Sequence, residues 1–593
     1  MHLQAREFAR VPLSLLTRLR LILLGHEDLA GIVFWATLVG LFGALASVVF
    51  RELIRLFTKL FTGYTSFAGQ SEGLVDAAST LAWWHRALVP MVGGVLAGWV
   101  LYFVGRTFIS HKAVDYIEAV KVGDGKIGFR ASILKSFASL LTISSGGSIG
   151  REGSMVQLAA MLGSRLGLLA RAPVPRLRLM VACGVAAGIA AAYNAPLSGA
   201  IFASEIVLGS TSMESFGPLV ISSVISSSTV RRFLGYGPVY DVPHLVLATD
   251  NWELIFYVFL GVLLGHLAPP FLALIDFAKS QFVRLKLPLY WQLGLGGLVV
   301  GCISAFVPQV WGNGYSVVSH ILNGQIFGLW LLVVLLAKVL ATSATVGSGG
   351  VGGVLTPSLF VGAAIGSLFG GVIHNLMPHI ASVPAAYALV GMGGFLAATT
   401  QAPLTSIVMI FEMTLDYDIL LPLMLACVTA HYTAKVYRKG QSVYHATLNR
   451  AIVAEHGDDW RLRTVEALVK PAAAVVPVST SLADIFDQLP KRPLQRVYLT
   501  SGDELIAWFD PRKILDRLQK GEIDWAVPAE AIAVPVRFAL APDMSLCDAL
   551  DGFLREQTTA LPVTPGQWRH TLLGEVSRSD VLLAIQDRLT YPK

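Results

Sequence analysis

Gly150-Arg-Glu-Gly-Ser-Met-Val-Gln-Leu-Ala-Ala-Met-Leu-Gly163-Ser-Arg-Leu-Gly167 is echoed, at an offset of 203, by Gly353-Val-Leu-Thr-Pro-Ser-Leu-Phe-Val-Gly-Ala-Ala-Ile-Gly366-Ser-Leu-Phe-Gly370. The pairs Gly150/Gly353, Ala160/Ala363, Gly163/Gly366, Ser164/Ser367 and Gly167/Gly370 coincide. A second echo follows at an offset of 207, Asn194-Ala-Pro-Leu197 against Gln401-Ala-Pro-Leu404. Each copy carries a glutamate nine residues past its proline, Glu205 and Glu412, and Gly184 aligns with Gly391. Two matches in one order and with like spacing point to a duplicated unit rather than to chance in Gly/Ala-rich sequence.

The duplicated stretch sits in lipid-like composition. Of 593 residues, 54% are apolar and 14% charged, and mean hydropathy is +0.63; soluble domains carry about 25% charged residues. The deficit is uneven: charges fill about 11% of positions 1–455 and about 25% of positions 456–593. Gly31–Phe50, Val339–Ile373 and Ala381–Phe411 hold no charge, and about 20 such residues cross a bilayer core. The expected organisation is a cytoplasmic segment 1–30, a membrane domain 31–455 and a soluble domain 456–593. A secreted globular enzyme, a fibrous protein and a disordered chain are excluded. No cleavable signal is evident, because 31–50 is too long for one and lacks its cleavage pattern.

The net charge of +6 reads as topology, not nucleic-acid binding. Arg6, Arg10, Arg18 and Arg20 precede the first span, and Lys435, Arg438 and Lys439 follow the last. Both clusters fit cytoplasmic ends. The four cysteines are scattered and suggest neither a disulfide framework nor a metal site.

Within the repeats, Gly146-Gly-Ser-Ile-Gly150 and Gly347-Ser-Gly-Gly-Val-Gly-Gly353 cannot be continuous helix. Irregular backbone at membrane depth survives only inside protein or along a watery cavity. The expectation is therefore a pair of half-length helices starting inside the membrane, with Ser154 and Pro357 in their first turns. Such N-termini present free N–H groups and a positive dipole end to an anion. The alternative is that the glycines serve only close helix packing. Glu152 lies at one of these mouths. Ionised, it competes with an anion; protonated, it leaves, which is the chemistry of a gate. The bland alternative is a fixed cap. Glu205 and Glu412 are repeat-related, so a shared structural role competes with a functional one. Metalloprotease and phosphate-loop motifs are missing, which disfavours a membrane enzyme, and the scarcity of membrane acids disfavours a cation transporter.

These residues resemble the CLC family of chloride channels and chloride/proton exchangers. Gly150-Arg-Glu-Gly-Ser154 is similar to the family's G-[KR]-E-G-P motif and Gly353-Val-Leu-Thr-Pro357 to its G-x-F-x-P motif. Asn194-Ala-Pro-Leu and Tyr444 fall in the family's order. The resemblance covers roughly residues 30–455 and is nearest the bacterial voltage-gated branch. It implies an α-helical polytopic membrane protein built of two inverted repeats of tilted and half-length helices, a homodimer in a bacterial inner membrane, and one chloride pathway per subunit. By residue, it implies Glu152 as the gate. Gly353, Val354 and Leu355, with Arg151 and Gly153, are the implied chloride-facing backbone, and Tyr444 a hydroxyl donor to the ion. Two departures stand out. The family's G-S-G-I-P stretch is replaced by Ser110-His-Lys-Ala-Val-Asp-Tyr-Ile-Glu-Ala119, which puts His111 at the central chloride position, with Lys112 beside it. Ile206 occupies the exchangers' internal proton-relay position and cannot carry a proton. Passive, glutamate-gated chloride conduction is thus the expected function, with chloride/proton exchange the alternative.

From about Thr464 onward the chain alternates short apolar strands with amphipathic stretches, in the order β-α-β-β-α. It resembles the paired CBS domains that many CLC proteins carry, a small cytoplasmic α/β regulatory unit. Ser577-Arg-Ser-Asp580 is similar to that family's nucleotide contact, so Ser577 and Asp580 are candidates for an adenine nucleotide; Ser577 is equally an ordinary helix N-cap. No other cofactor is expected. The expected partners are membrane lipid, chloride and a second copy of the chain.

Overall fold

The computed structural model describes residues 29–65, 74–107, 115–121, 123–209, 213–235, 240, 252–438, 464–472, 474–488, 496–520, 522–536, 538–556, 558–565 and 571–581. The chain divides into two compact units, Met1–Asn449 and Arg450–Lys593.

Long uncharged apolar segments satisfy their backbone in lipid as helices, and among the described residues of the first unit every regular element is helical. Its first half runs α1 (Leu29–Thr62), α2 (Leu74–Thr80), α3 (Trp83–Thr107), α4 (Tyr116–Lys121), α5 (Phe129–Ser144), α6 (Glu152–Leu169), α7 (Val174–Tyr193) and α8 (Pro196–Phe202). A π-helical turn, Ala203–Leu208, continues α8 and leads to α9 (Met213–Leu234). The second half runs α10 (Glu253–Arg284), α11 (Leu289–Phe306), α12 (Tyr315–Leu322), α13 (Gly328–Gly347) and α14 (Leu355–Leu376). It closes with α15 (Pro384–Thr400), α16 (Pro403–Thr414) and α17 (Leu420–Arg438). Among the described residues, seven helices are long and apolar enough to cross a membrane.

The duplication is structural as well as sequential. A Cβ added at Gly163 would strike the carbonyl of Met180, and one at Gly366 that of Tyr387. In the other direction, Gly184 abuts the backbone of Ala159, and Gly391 that of Gly362. The α6–α7 crossing is thus repeated as α14–α15, each held close by glycines. A further crossing joins the two halves. Gly94 of α3 meets the Leu293 carbonyl of α11, and Gly297 of α11 meets the Pro90 carbonyl of α3. These positions again lie 203 apart. Asn194 (φ 53) and Gln401 (φ 60) end α7 and α15 in the left-handed region, two residues ahead of the prolines that open α8 and α16.

One expectation needs correction. The helices opening at Glu152 and Leu355 are not half-length: α6 has 18 residues and α14 has 22, the latter about 33 Å long at 1.5 Å per residue. Gly370 does not break α14, because it packs against the Tyr387 ring and its missing side chain is what lets that ring in. The short apolar helices are instead Pro196–Leu208 and Pro403–Thr414.

The second unit is a small α/β body. Its first half carries β1 (Val475–Pro477), α18 (Leu482–Gln488), β2 (Val497–Ser501), β3 (Glu504–Phe509), α19 (Pro511–Gln519) and β4 (Val534–Pro535). The sheet order is β1-β2-β3-β4, with β1 parallel to β2 and the other pairs antiparallel. Leu482, Ile485, Val497, Leu499, Phe509 and Ile514 form its core. The second half carries α20 (Leu546–Arg555) and the antiparallel pair β5 (Ala560–Val563) and β6 (Gly574–Ser577). The apolar stretch Phe538-Ala-Leu-Ala541 forms no named strand and makes a single bridge, Leu540 to Val563.

Candidate functional site

The two glycine-rich loops meet. Gly146 (φ +99) and Gly349 (φ +103) hold left-handed turns at equivalent positions, where a side chain is strained. At Gly146 it would also run into Trp311. Each loop then folds back, and Gly150 and Gly353 form an antiparallel bridge. The N–H of each donates to the carbonyl of the other at 2.8 Å. Helices α6 and α14 start two residues beyond this bridge. Their first-turn N–H groups, those of Gly153 and Leu355 among them, have no intrahelical acceptor, so two positive helix ends come together.

Glu152 opens α6 and is fully buried. Its Oε1 accepts a hydrogen bond from the Thr356 hydroxyl on the facing helix. Tyr193 of α7 places its own hydroxyl 3.3 Å from Thr356 Oγ1. Arg151, 2% exposed, stacks its guanidinium 5.3 Å from the ring centre of Tyr315. Glu152 is therefore held across the repeat boundary by Thr356.

A cavity of about 200 Å³ opens beside this carboxylate, lined by Glu152, Gly153, Ser154, Gly353, Val354 and Leu355. Liquid water takes about 30 Å³ per molecule, so the space admits more than one small occupant. Ser136 and Ser154 also line it, with buried hydroxyls that find no protein partner. Buried hydroxyls without partners are costly, which suits a cavity filled by ions or water. Asp115 and Lys135 border the same space as charged neighbours of each other. Neither was given a role from the sequence. The signal for Lys135 was available, since a charge within an apolar membrane helix is a functional candidate by default.

The paired glutamates have a different task. Glu412 of α16 accepts from the N–H groups of Leu197 (2.9 Å) and Ser198 (2.7 Å) and from the Ser198 hydroxyl (2.6 Å), at the start of α8. Glu205, following α8, accepts from Thr405 N (2.9 Å) and Oγ1 (2.6 Å), at the start of α16. Each repeat thus caps a helix of the other, and both carboxylates favour the positive ends they face. Ile206, beside Glu205, is buried in the π-helical turn. His111 and Tyr444 lie outside the described residues.

Other buried polar groups were not legible in advance. Lys338 in α13 is fully buried and donates to the carbonyls of Val310 (2.9 Å) and Gly312 (2.7 Å). Glu253 accepts from Ser382 N and Oγ, each at 2.8 Å, and from Tyr257. Among the described residues, no group of three or more His, Cys, Asp or Glu side chains could hold a metal.

In the second unit, Ser577 Oγ accepts from the Asp580 N–H at 3.0 Å, the N-cap geometry. The Asp580 carboxylate accepts from Lys470 Nζ at 2.7 Å. Partial burial pushes Asp580 up, but the bonds from Lys470 and Ser577 outweigh it and hold the carboxyl below its ordinary range. Both candidate nucleotide contacts are thus already engaged. Burial raises the Glu575 carboxyl despite a 3.0 Å bond from the Tyr498 hydroxyl.

Duplicated helices with opposed N-termini, a carboxylate buried between them and a cavity bordered by charged and hydroxyl side chains define a multi-pass membrane protein built to handle an anion. The family model for voltage-gated chloride channels matches residues 93–435, and the chain belongs to that family, one of channels and transporters rather than enzymes. A ClcB-like chloride channel protein of Ralstonia nicotianae is 50% identical over 420 residues, covering 70% of this chain and 96% of its own. The crystal structure of a slow cyanobacterial Cl⁻/H⁺ antiporter shares the fold, with TM-score 0.62, 24% identity, and coverage of 71% of this chain and 97% of its own. A eukaryotic CLC transporter structure aligns with 93% of this chain and 97% of its own, with TM-score 0.59 and 18% identity.

Proposed function

We propose that the membrane unit conducts chloride passively and that Glu152 is its gate. The observation that carries this reading is the Gly150–Gly353 bridge. It sets two helix N-termini side by side, with a buried carboxylate at one of them and a cavity bordered by hydroxyl and charged side chains next to it. A carboxylate and a chloride ion are alternative ligands for the same positive helix ends. In this reading Arg151, Gly153, Gly353, Val354 and Leu355 form the ion-facing wall. Tyr444 and His111, outside the described residues, are assigned as further donors to the ion from the family resemblance alone. Ile206 interrupts the inner proton route.

The repeats are read as inverted, which the antiparallel bridge and the crossed glutamate caps support. The protein is taken to be a homodimer in a bacterial inner membrane, with both termini cytoplasmic. The tail is taken to be a regulatory CBS pair. An adenine nucleotide at Ser577 and Asp580 is a subordinate proposal, and it requires Lys470 to release Asp580. One observation favours a second reading, coupled chloride/proton exchange: Asp115 borders the same cavity as Glu152, so a protonatable group stands near the gate although Ile206 is none. Liposomes with a chloride gradient and the membrane potential clamped by a potassium ionophore separate the two. Passive conduction is expected to leave internal pH unchanged; protons driven uphill by chloride would establish exchange.

A further inference from the structure

Two phenols beside the gate have no task in the pathway described above. Tyr240 is fully buried, and its backbone N–H donates to the carbonyl of Met413, at the end of α16, at 3.4 Å. Tyr315 opens α12. Their rings lie 5.6 Å apart, tilted by 31°, and the Arg151 guanidinium sits 5.3 Å from the Tyr315 ring centre. Both phenolic oxygens are buried; the Tyr240 hydroxyl finds no hydrogen-bond partner, and the Tyr315 hydroxyl has only Thr356 within its reach, short of good hydrogen-bond geometry. Glu152 and Arg151 are charged neighbours of both phenols, and Arg51 is a further one of Tyr315.

A buried hydroxyl without a partner costs more than its bond returns when made. Two packed phenols that share Glu152 as a charged neighbour are more than packing requires, since phenylalanine would fill the same space. A phenol can donate to a carboxylate oxygen, and in a dry site such a charge-assisted bond is among the strong ones. The resident position of Glu152 is the Thr356–Tyr193 side. Gating as proposed above requires a second position, and an ionised carboxylate moved into apolar surroundings would be held back by the cost of burying its charge.

We propose that Tyr240 and Tyr315 form the receiving position for the displaced Glu152 carboxylate, with Arg151 balancing its charge. Gating is then an exchange between two sets of hydroxyl donors, Thr356 with Tyr193 on one side and the two phenols on the other. Permeation does not have to wait for protonation, because the displaced carboxylate has hydrogen-bond donors of its own. The inference rests on Glu152 being the gate and adds where the gate goes.

The test is chloride efflux at pH 7.5 from liposomes containing the full-length protein. Tyr240→Phe, Tyr315→Phe and the double variant are compared in the wild-type and Glu152→Ala backgrounds. The double variant is expected to lower efflux about tenfold in the wild-type background, the equivalent of about 1.4 kcal/mol. In Glu152→Ala, where there is no carboxylate to receive, the same pair of substitutions is expected to cost about twofold at most, the difference being the coupling. Efflux in that background also reports that the variants fold. An equal loss in both backgrounds would assign the phenols to the permeating ion or to packing and overturn the proposal. Wild-type efflux from the double variant would overturn it as well. Efflux from Glu152→Ala alone that matches wild type would refute the gate, and the receiving position with it.

Discussion

Glu412→Ala separates a structural carboxylate from a transport one. The substitution strips the start of α8 of three bonds, from Leu197 N, Ser198 N and Ser198 Oγ. Hydrogen bonds between helices in membranes average about 0.6 kcal/mol each and reach about 1.7. An N-cap removed from a helix costs typically about 1 kcal/mol. Three bonds at one helix start, shared between repeats, therefore sum to about 2–4 kcal/mol. Because the caps are crossed, the loss loosens α8 against α16 rather than one helix alone. Glu412→Gln keeps an acceptor oxygen and is expected to lose about half as much, roughly 1–2 kcal/mol. The assay is unfolding of the purified protein in detergent, paired with chloride efflux per folded molecule. The expectation is a lower melting temperature for both variants, alanine below glutamine, with efflux and its pH dependence unchanged. A pH profile that shifts while stability stays at the wild-type value would refute the capping role and put Glu412 on the ion or proton path.

Gly146→Ala is expected to destabilise the membrane unit by more than about 2 kcal/mol, because φ +99 is strained for alanine and Trp311 fills the space; thermal unfolding checks it. Truncation after Glu455 is expected to leave chloride efflux in place, since every described element of the cavity lies in the first unit; complete loss of flux in a well-folded truncated protein would contradict this. Lys470→Met frees the Asp580 carboxyl, whose value is held low in the folded tail. The stability this pairing gives is present above the unfolded carboxylate range, about pH 4, and is lost as pH falls through the lower folded value. Hydrogen exchange at residues 464–481 in the full-length protein is expected to speed up modestly at pH 7, by the equivalent of under about 1 kcal/mol for so exposed a pair. It is expected to match wild type in strong acid.

The glycines made the duplication and the two converging helix starts readable, because a run such as Gly347-Ser-Gly-Gly-Val-Gly-Gly353 has no helical reading at all. The same glycines misled on length. Gly366 and Gly370 resemble the loop glycines in sequence, yet they serve the approach of Tyr387, so α14 continues to Leu376. A glycine that ends a helix and one that admits a neighbour differ only in what packs against them. The α3–α11 crossing keeps the offset of 203 but carries it on isolated positions, Pro90/Leu293 and Gly94/Gly297, too sparse to stand out. Glu152 could be named from its motif. Its surroundings could not: Thr356, Tyr193, Tyr240 and Tyr315 come from separated segments that only the fold assembles. For Glu205 and Glu412 the pairing was visible and the task was not, because a cap supplied by the opposite repeat leaves no local signature.

The central claim, that Glu152 gates an anion path, is tested most directly by chloride efflux from liposomes as external pH is lowered from 7.5 to 4.5, with wild type and Glu152→Gln side by side. Wild-type efflux is expected to rise as the carboxylate is protonated and released from its place among the helix N-termini. The glutamine variant, which has no proton to gain, is expected to show a flat profile at or above the wild-type acid value. A variant that keeps the wild-type pH dependence would contradict the claim.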